Sequence, residues 1–256
     1  MRANKKLTNQ HRLPSRPYPE YHDRRSLWSA LSQGSLHSYI NGSFMSKIQQ
    51  VLAVLALSLV ALVGVDQDSR AAHDTNPAQV EMQQTLRELW LGHIFAVQHV
   101  ILYNLAKDPA EQDAAEKAVV ANAKQIANTF APFYGEAQAE KLFTLLTGHY
   151  AAVKEYSKAI IAGNKGQMNA ALAQFESNTD GIDLFFSGVN PNYLPKGTVR
   201  PLIAVHVSHH ILRINLYHKK EYAKLDATWP MMRQHVYLIA DTLTRALAKQ
   251  FPDKFS

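Results

Sequence analysis

The chain has 256 residues, 46% hydrophobic and 19% charged, which is too apolar for an intrinsically disordered protein and long enough for one large domain or two small ones. It has no cysteine, which excludes disulfide bonds, thiolate metal sites, covalently attached c-type haem and cysteine nucleophiles. Most of its net charge of +6 comes from residues 1–44, with seven basic against two acidic residues, so the remainder offers no basic footprint for nucleic acid.

Residues 1–44 form a polar, arginine-rich leader. They contain Pro14, Pro17 and Pro19 and show no periodic apolar pattern, which predicts a disordered segment. A methionine at position 45 directly precedes an export-like sequence. We therefore hypothesise that Met45 is the true start and that residues 1–44 are mistranslated upstream sequence, with the folded domain over 73–256.

Residues 45–72 have the layout of a secretory signal peptide. Lys47 supplies a short positive region, residues 51–65 are an unbroken apolar run, and Ser69 and Ala71 offer small side chains for cleavage. The run is shorter than the roughly 20 residues that cross a bilayer comfortably. The pattern predicts a periplasmic or secreted protein, and an uncleaved membrane anchor is the alternative. No other membrane contact is expected, and the sequence identifies no partner.

Beyond residue 77 the chain is rich in helix-forming residues with apolar positions three and four apart. Few glycines, prolines and capping residues interrupt this pattern, which predicts an all-α bundle without strands. Pro230 either kinks the last helix or marks its beginning, and Thr198 is expected to cap the fifth. The six predicted helices span residues 78–107, 109–131, 136–162, 165–187, 198–219 and 222–250.

A histidine recurs within similar sequence at intervals of 56 and 57 residues. Leu-x-x-Leu-x-x-Gly-His ends at His93 and at His149, and a more divergent copy ends at His206. Twenty-nine residues after each histidine stand Asn122, Asn178 and His235, each followed four residues later by isoleucine. This spacing predicts that the bundle is built from three antiparallel helical-hairpin repeats.

The repeat predicts a layer of polar side chains in the core. In each hairpin the two polar residues lie equally far from the turn, so they reach the same height on neighbouring helices. Each also belongs to an apolar stripe that faces the interior. Burial without a partner costs about 1–3 kcal/mol for each polar group, so all six need partners.

A metal site is the leading interpretation of this layer. His93, His149 and His206 would form a three-histidine site with an open coordination position, with His210 and His235 as auxiliary ligands and Asn122 and Asn178 as polar partners. Imidazole suits Zn, Cu, Ni or Fe. Because neutral imidazole is the ligating form, metal affinity is expected to fall as the pH drops through roughly 6.5.

Two alternatives remain open from the residues alone. The layer could satisfy its own hydrogen bonds in a purely structural or partner-binding envelope protein. An open three-histidine site could instead serve a metal-dependent hydrolase, although no general base is apparent and the sequence favours no enzyme. The short motifs of di-iron carboxylate bundles, zinc proteases and serine hydrolases are absent.

Several motifs carry a resemblance. They are the segment that ends in Trp90-Leu-Gly-His93, Pro132-Phe-Tyr-Gly135, Asn178 and Ile239-Ala-Asp241. In these the chain resembles a group of small exported bacterial helical proteins of unassigned function, over most of residues 80–252. The resemblance implies an exported helical bundle and assigns no ligand, substrate or functional residue.

Overall fold

The computed structural model describes residues 76–106 and 109–256, and these residues are almost entirely helical, with no β-strand. The all-α prediction is therefore confirmed. The helices, in chain order, are α1 (Pro77–Ala106), α2 (Pro109–Asn128), α3 (Ala131–Tyr134), α4 (Glu136–Ile161), α5 (Lys165–Val189), α6 (Arg200–His218), α7 (Tyr222–Ala227) and α8 (Trp229–Gln250), followed by a 3-10 turn, Pro252–Lys254.

The helix boundaries lie close to the predicted ones because the chain carries clear stop and start signals. Gly163 has a positive φ of 64°, and Asn164 caps α5 by accepting a hydrogen bond from the Gln167 amide at 3.1 Å. The last predicted helix is divided into α7 and α8, with Pro230 in the first turn of α8. The second predicted helix likewise ends at Asn128, before the short α3 that contains Pro132.

The two helices of each predicted hairpin pack together closely in the first two hairpins and less closely in the third. α1 packs along α2, and α4 packs along α5. Because each pair is joined by a very short connection, its helices run antiparallel. α8 packs more extensively on α1 than on α6. A bidentate salt bridge between Arg87 of α1 and Asp241 of α8, with both hydrogen bonds at 2.7 Å, links these two helices. The proposed third hairpin is thus less tightly paired than the other two.

The start of α6 is held by a carboxylate from α5 rather than by its own residues. The predicted cap, Thr198, does not act as one, because α6 begins after Val199 without a side-chain cap. Asp183, only 3% exposed, instead accepts hydrogen bonds of 2.8–3.0 Å from the amides of Gly197, Val199 and Arg200. A carboxylate suits this position because the first amides of a helix lack intrahelical acceptors and the helix dipole is positive there.

Replacing Asp183 with alanine is expected to lower the free energy of unfolding by about 3 kcal/mol, because three amides lose a charged acceptor. Urea unfolding measures this change. Asp180→Ala is the matched control. Asp180 pairs with Arg200 at 2.6 Å, but both side chains are about half exposed, so its loss should cost less than about 1 kcal/mol. Equal losses in the two variants would contradict the capping role.

Two predicted segments, residues 1–44 and 45–72, lie outside the described residues. Among the helices of the described part, none combines the length and the apolar character needed to cross a membrane.

Candidate metal centre

The same hydrogen bond occurs at three places in the bundle, each time between residues 33 apart in the chain. Asn122 Nδ2 donates to the Leu89 carbonyl at 3.0 Å, and Asn178 Nδ2 donates to the Leu145 carbonyl at 2.8 Å. At the third place His235 Nε2 donates to the carbonyl of Leu202 at 2.8 Å. These bonds favour the threefold repeat, which we retain as a proposal.

Small residues make room for the two asparagines. Gly92 and Gly148 each precede a histidine, and a Cβ atom at these positions would lie 3.4 Å from Asn122 Nδ2 and 3.3 Å from Asn178 Nδ2. A Cβ atom would be in van der Waals contact with the amide at Gly92 and slightly closer than usual at Gly148. A larger side chain would press on the amide that bonds across to the neighbouring helix.

His149 is held in one tautomer by Asn178. The Nδ1 atom of His149 lies 3.2 Å from Asn178 Oδ1, which can only accept, so Nδ1 carries the proton. In the neutral ring the lone pair is therefore on Nε2, which is buried and has no hydrogen-bond partner. An outer partner that fixes the tautomer and orientation of a ring in this way is typical of metal-ligating histidines.

α6 contributes two histidines one turn apart. His206 and His210 lie on one face of the helix, and their Nε2 atoms are 3.0 Å apart. His209 is rotated by about 100° from His210 around the helix axis, and its ring packs against His235 of α8. The i, i+4 spacing thus places two imidazole nitrogens at one point of the core.

Four histidines from three helices meet in the core. One ring nitrogen each from His93, His149, His206 and His210 lies within 4.8 Å of the others, and the ring centroids are 4.4–6.2 Å apart. The four residues are only 1–4% exposed. We call this group the four-His centre. It contains the three predicted principal ligands and one predicted auxiliary ligand.

The dimensions of the four-His centre fit a metal ion. Four nitrogen ligands of zinc lie about 2.0–2.1 Å from the ion in a tetrahedron, which puts them about 3.4 Å from one another. The nitrogens of the centre, all within 4.8 Å of one another, would each move inward by at most about 0.9 Å to reach bonding distance. The donor set, four imidazoles, suits Zn, Cu, Ni and Fe.

The polar layer does not satisfy its own hydrogen-bonding capacity. Four of its buried atoms have no partner within the described residues: His93 Nε2, Asn122 Oδ1, His149 Nε2 and His206 Nδ1. Most buried polar atoms in proteins are paired, and each exception calls for an explanation such as a bound ion. A metal would use the free Nε2 atoms of His93 and His149, and it would replace the hydrogen bond that now joins the Nε2 atoms of His206 and His210.

Burial keeps the imidazoles neutral. It lowers the pKa of His93 to about 3, with a smaller contribution from His149, and lowers the pKa of His149 to about 4 against the bond to Asn178. Burial and then the neighbouring imidazoles also lower the pKa of His206 and His210 well below the usual value. All four rings are therefore in the ligating form at neutral pH. Proton competition for them should begin well below the predicted pH of 6.5.

A small cavity of about 10 Å³ lies beside the centre, lined by Trp90, Ile203 and three of the four histidines. This is about the volume of a single water molecule on the same measure. The Trp90 ring meets the rings of His93 and His206 edge-on at centroid distances of 5.9 and 5.7 Å. Its Nε1 atom is buried without a partner. The sequence did not identify Trp90 as a neighbour of the site.

Two expected side-chain pairs are not formed. Asn122 bonds the Leu89 carbonyl, and its Oδ1 atom makes no bond to His93. His235 bonds the Leu202 carbonyl and packs edge-on against His209 at 5.2 Å, so it lies outside the four-His centre. The physical reason is that α8 lies on the His209 side of α6, whereas His206 and His210 face the core. His99 and His218 are exposed.

Comparisons of the chain with models of protein families, with curated protein sequences and with solved structures find no match. The function is therefore inferred from the site itself, since a bundle fold alone does not determine activity.

Proposed function

We propose that this protein is exported and binds one transition-metal ion through His93, His149, His206 and His210. The observation that carries the proposal is the convergence of four buried imidazoles, three of which hold a ring nitrogen without a hydrogen-bond partner. The bond from His149 to Asn178 supports it, because it leaves the Nε2 lone pair of His149 free for an ion. Export is proposed from the signal-like sequence over residues 45–72.

A purely structural polar core explains fewer of these contacts. Such a layer would be expected to pair its atoms, as Asn178 pairs with both His149 and the Leu145 carbonyl. The unpartnered nitrogens of His93 and His149 are not accounted for by that alternative.

The hydrolase alternative has little support in the described residues. The histidines are at most 4% exposed, and the cavity beside them holds about 10 Å³. An organic substrate therefore has no room next to the ion. The group of potential metal ligands also contains no carboxylate that could serve as a general base. Binding, storage or sensing of the ion suits this closed site better than hydrolysis.

The proposal is tested by loading the full chain with Zn²⁺, Cu²⁺, Ni²⁺ or, in the absence of oxygen, Cu⁺, then removing excess ion and measuring the metal content by elemental analysis. We expect one ion per chain. Paramagnetic Cu²⁺ should also quench the fluorescence of Trp90, whose ring is within 6 Å of two ligand rings. Trp90→Phe should remove that response while the metal content stays the same. Substantially less than one ion per chain for every metal would overturn the proposal.

A further inference from the structure

The ligand set of the four-His centre carries no negative charge. The potential metal ligands that lie within reach of one another are all histidines, with no aspartate or glutamate among them in the described part of the chain. The outer partner of His149 is the neutral amide of Asn178. A bound ion would therefore keep its full charge in the core.

A buried positive charge lies on the same helix as two of the four histidines and acts on one of them. Arg213 lies one turn after His210 on α6, is 5% exposed and bonds only neutral groups, namely Gln98, Thr228 and the Leu225 carbonyl. After burial and the neighbouring histidines, its charge also contributes to lowering the pKa of His210. Asp226, a carboxylate that acts on Arg213 through space, is exposed to solvent. The positive charge of Arg213 thus repels a bound cation, and it repels a divalent ion more strongly than a monovalent one.

The core around the centre holds too little water to solvate the charge of a bound ion. The cavity is lined by apolar side chains such as Leu146, Ile182 and Ile203, and it has room for about one water molecule. The cost of transferring an ion from water to such a medium grows with the square of its charge, so it is about four times larger for a divalent than for a monovalent ion of equal size.

From this charge balance we propose that the four-His centre selects a monovalent transition-metal ion, Cu⁺, over divalent ions such as Zn²⁺. The inference rests on the proposed metal-binding function and names the class of ion. Cu⁺ and Zn²⁺ share a closed d shell, so coordination geometry distinguishes them little. Since imidazole is a borderline ligand, the chain has no cysteine and no methionine lines the cavity beside the described centre, the preference comes from charge.

The test compares dissociation constants for the two ions in the full chain. Cu⁺ affinity is measured without oxygen by competition with bicinchoninate, and Zn²⁺ affinity by competition with a chromophoric chelator, both in buffer free of chloride. We expect a dissociation constant for Cu⁺ at least a hundredfold smaller than that for Zn²⁺. A smaller constant for Zn²⁺ would overturn the inference and leave the proposed metal-binding function intact. Failure to bind either ion would overturn the proposed function itself.

A matched pair of variants isolates charge from shape. Leu146 lines the cavity beside His149, and Leu146→Glu differs from Leu146→Gln only by a carboxylate in place of an amide. The added negative charge should favour the divalent ion, so the ratio of Zn²⁺ to Cu⁺ affinity should rise at least about tenfold in the glutamate variant relative to the glutamine variant. An unchanged ratio in folded variants would contradict the charge argument. If either variant fails to fold, the comparison of Cu⁺ and Zn²⁺ dissociation constants in the wild-type chain still tests the inference.

Discussion

Replacement of His206 by alanine is expected to weaken metal binding by more than a hundredfold. The Nε2 atoms of His206 and His210 are 3.0 Å apart, and the ring centroid of His206 is 5.5 Å from the centroids of both His93 and His149. His206 is therefore adjacent to all three other ligands, and the variant loses the ligand that they share as a neighbour. Loss of an outer partner alone typically costs 10- to 100-fold in affinity, and loss of a ligand should cost more. Elemental analysis and competition with a chelator measure the change.

The control for this variant is His99→Ala on α1. His99 is exposed and belongs to no cluster of potential ligands in the described residues, so its loss should leave metal content and affinity unchanged. Thermal unfolding provides a second measurement. An ion present at about 100 times its dissociation constant stabilises the folded state by about 2.7 kcal/mol, and this gain should vanish in His206→Ala. Equal metal content in both variants would refute the assigned centre.

The metal-free protein is expected to lose at least about 6 kcal/mol of stability between pH 7 and pH 5. This is the share of His93, His149 and His209, and His206 and His210, whose pKa values burial also lowers, add to it. Burial lowers the pKa of His93 to about 3, and burial lowers the pKa of His149 and His209 to about 4. In the unfolded chain each imidazole has a pKa near 6.5. Between these values the unfolded state binds protons that the folded state does not, so stability is present above pH 6.5 and is lost as the pH falls.

The size of this loss in stability follows from the difference in protons bound by the unfolded and folded states. At pH 5 each of these three histidines lies about 1.5 pH units below its unfolded pKa, which corresponds to about 2 kcal/mol per residue. Their sum is comparable to the whole stability of many domains, about 5–15 kcal/mol. Urea unfolding at a series of pH values, with a chelator present, measures the slope of stability against pH.

Single substitutions identify the groups responsible. His209→Gln should reduce the proton uptake on unfolding near pH 5 by about one proton, because burial lowers the pKa of His209 to about 4. If wild-type unfolding takes up less than one proton near pH 5, the buried histidines are not held neutral in the folded state.

The helices were predictable because their signals are local. Asn164 with Gly163, and Pro230 at the start of α8, mark boundaries through the backbone geometry that each residue permits, without reference to the rest of the chain. The predicted cap Thr198 was wrong for the opposite reason. Its role is taken by Asp183, which is 15 residues away and reaches α6 only after α5 has packed beside it.

The site was predictable in part. Equal spacing from the turns predicted that Asn122 faces His93, because rise per residue along a helix is constant. Asn122 instead bonds the Leu89 carbonyl, one turn earlier on α1. The same arithmetic placed His93, His149 and His206 in one region. It could not distinguish His210 from His235, because the choice depends on how α6 is rotated about its axis and on which side α8 packs.

By itself the sequence determined the helical class, nearly all helix limits and the recurrence of polar residues in apolar stripes, since these follow from local propensity and from periodicity along one helix. Only the tertiary structure decided that four imidazoles meet, that Trp90 borders them and that no carboxylate joins the potential ligands in the described residues. Those features depend on the mutual rotation and packing of α1, α4 and α6. The charge of the centre, and with it the inferred preference for Cu⁺, is therefore a property of the packed bundle.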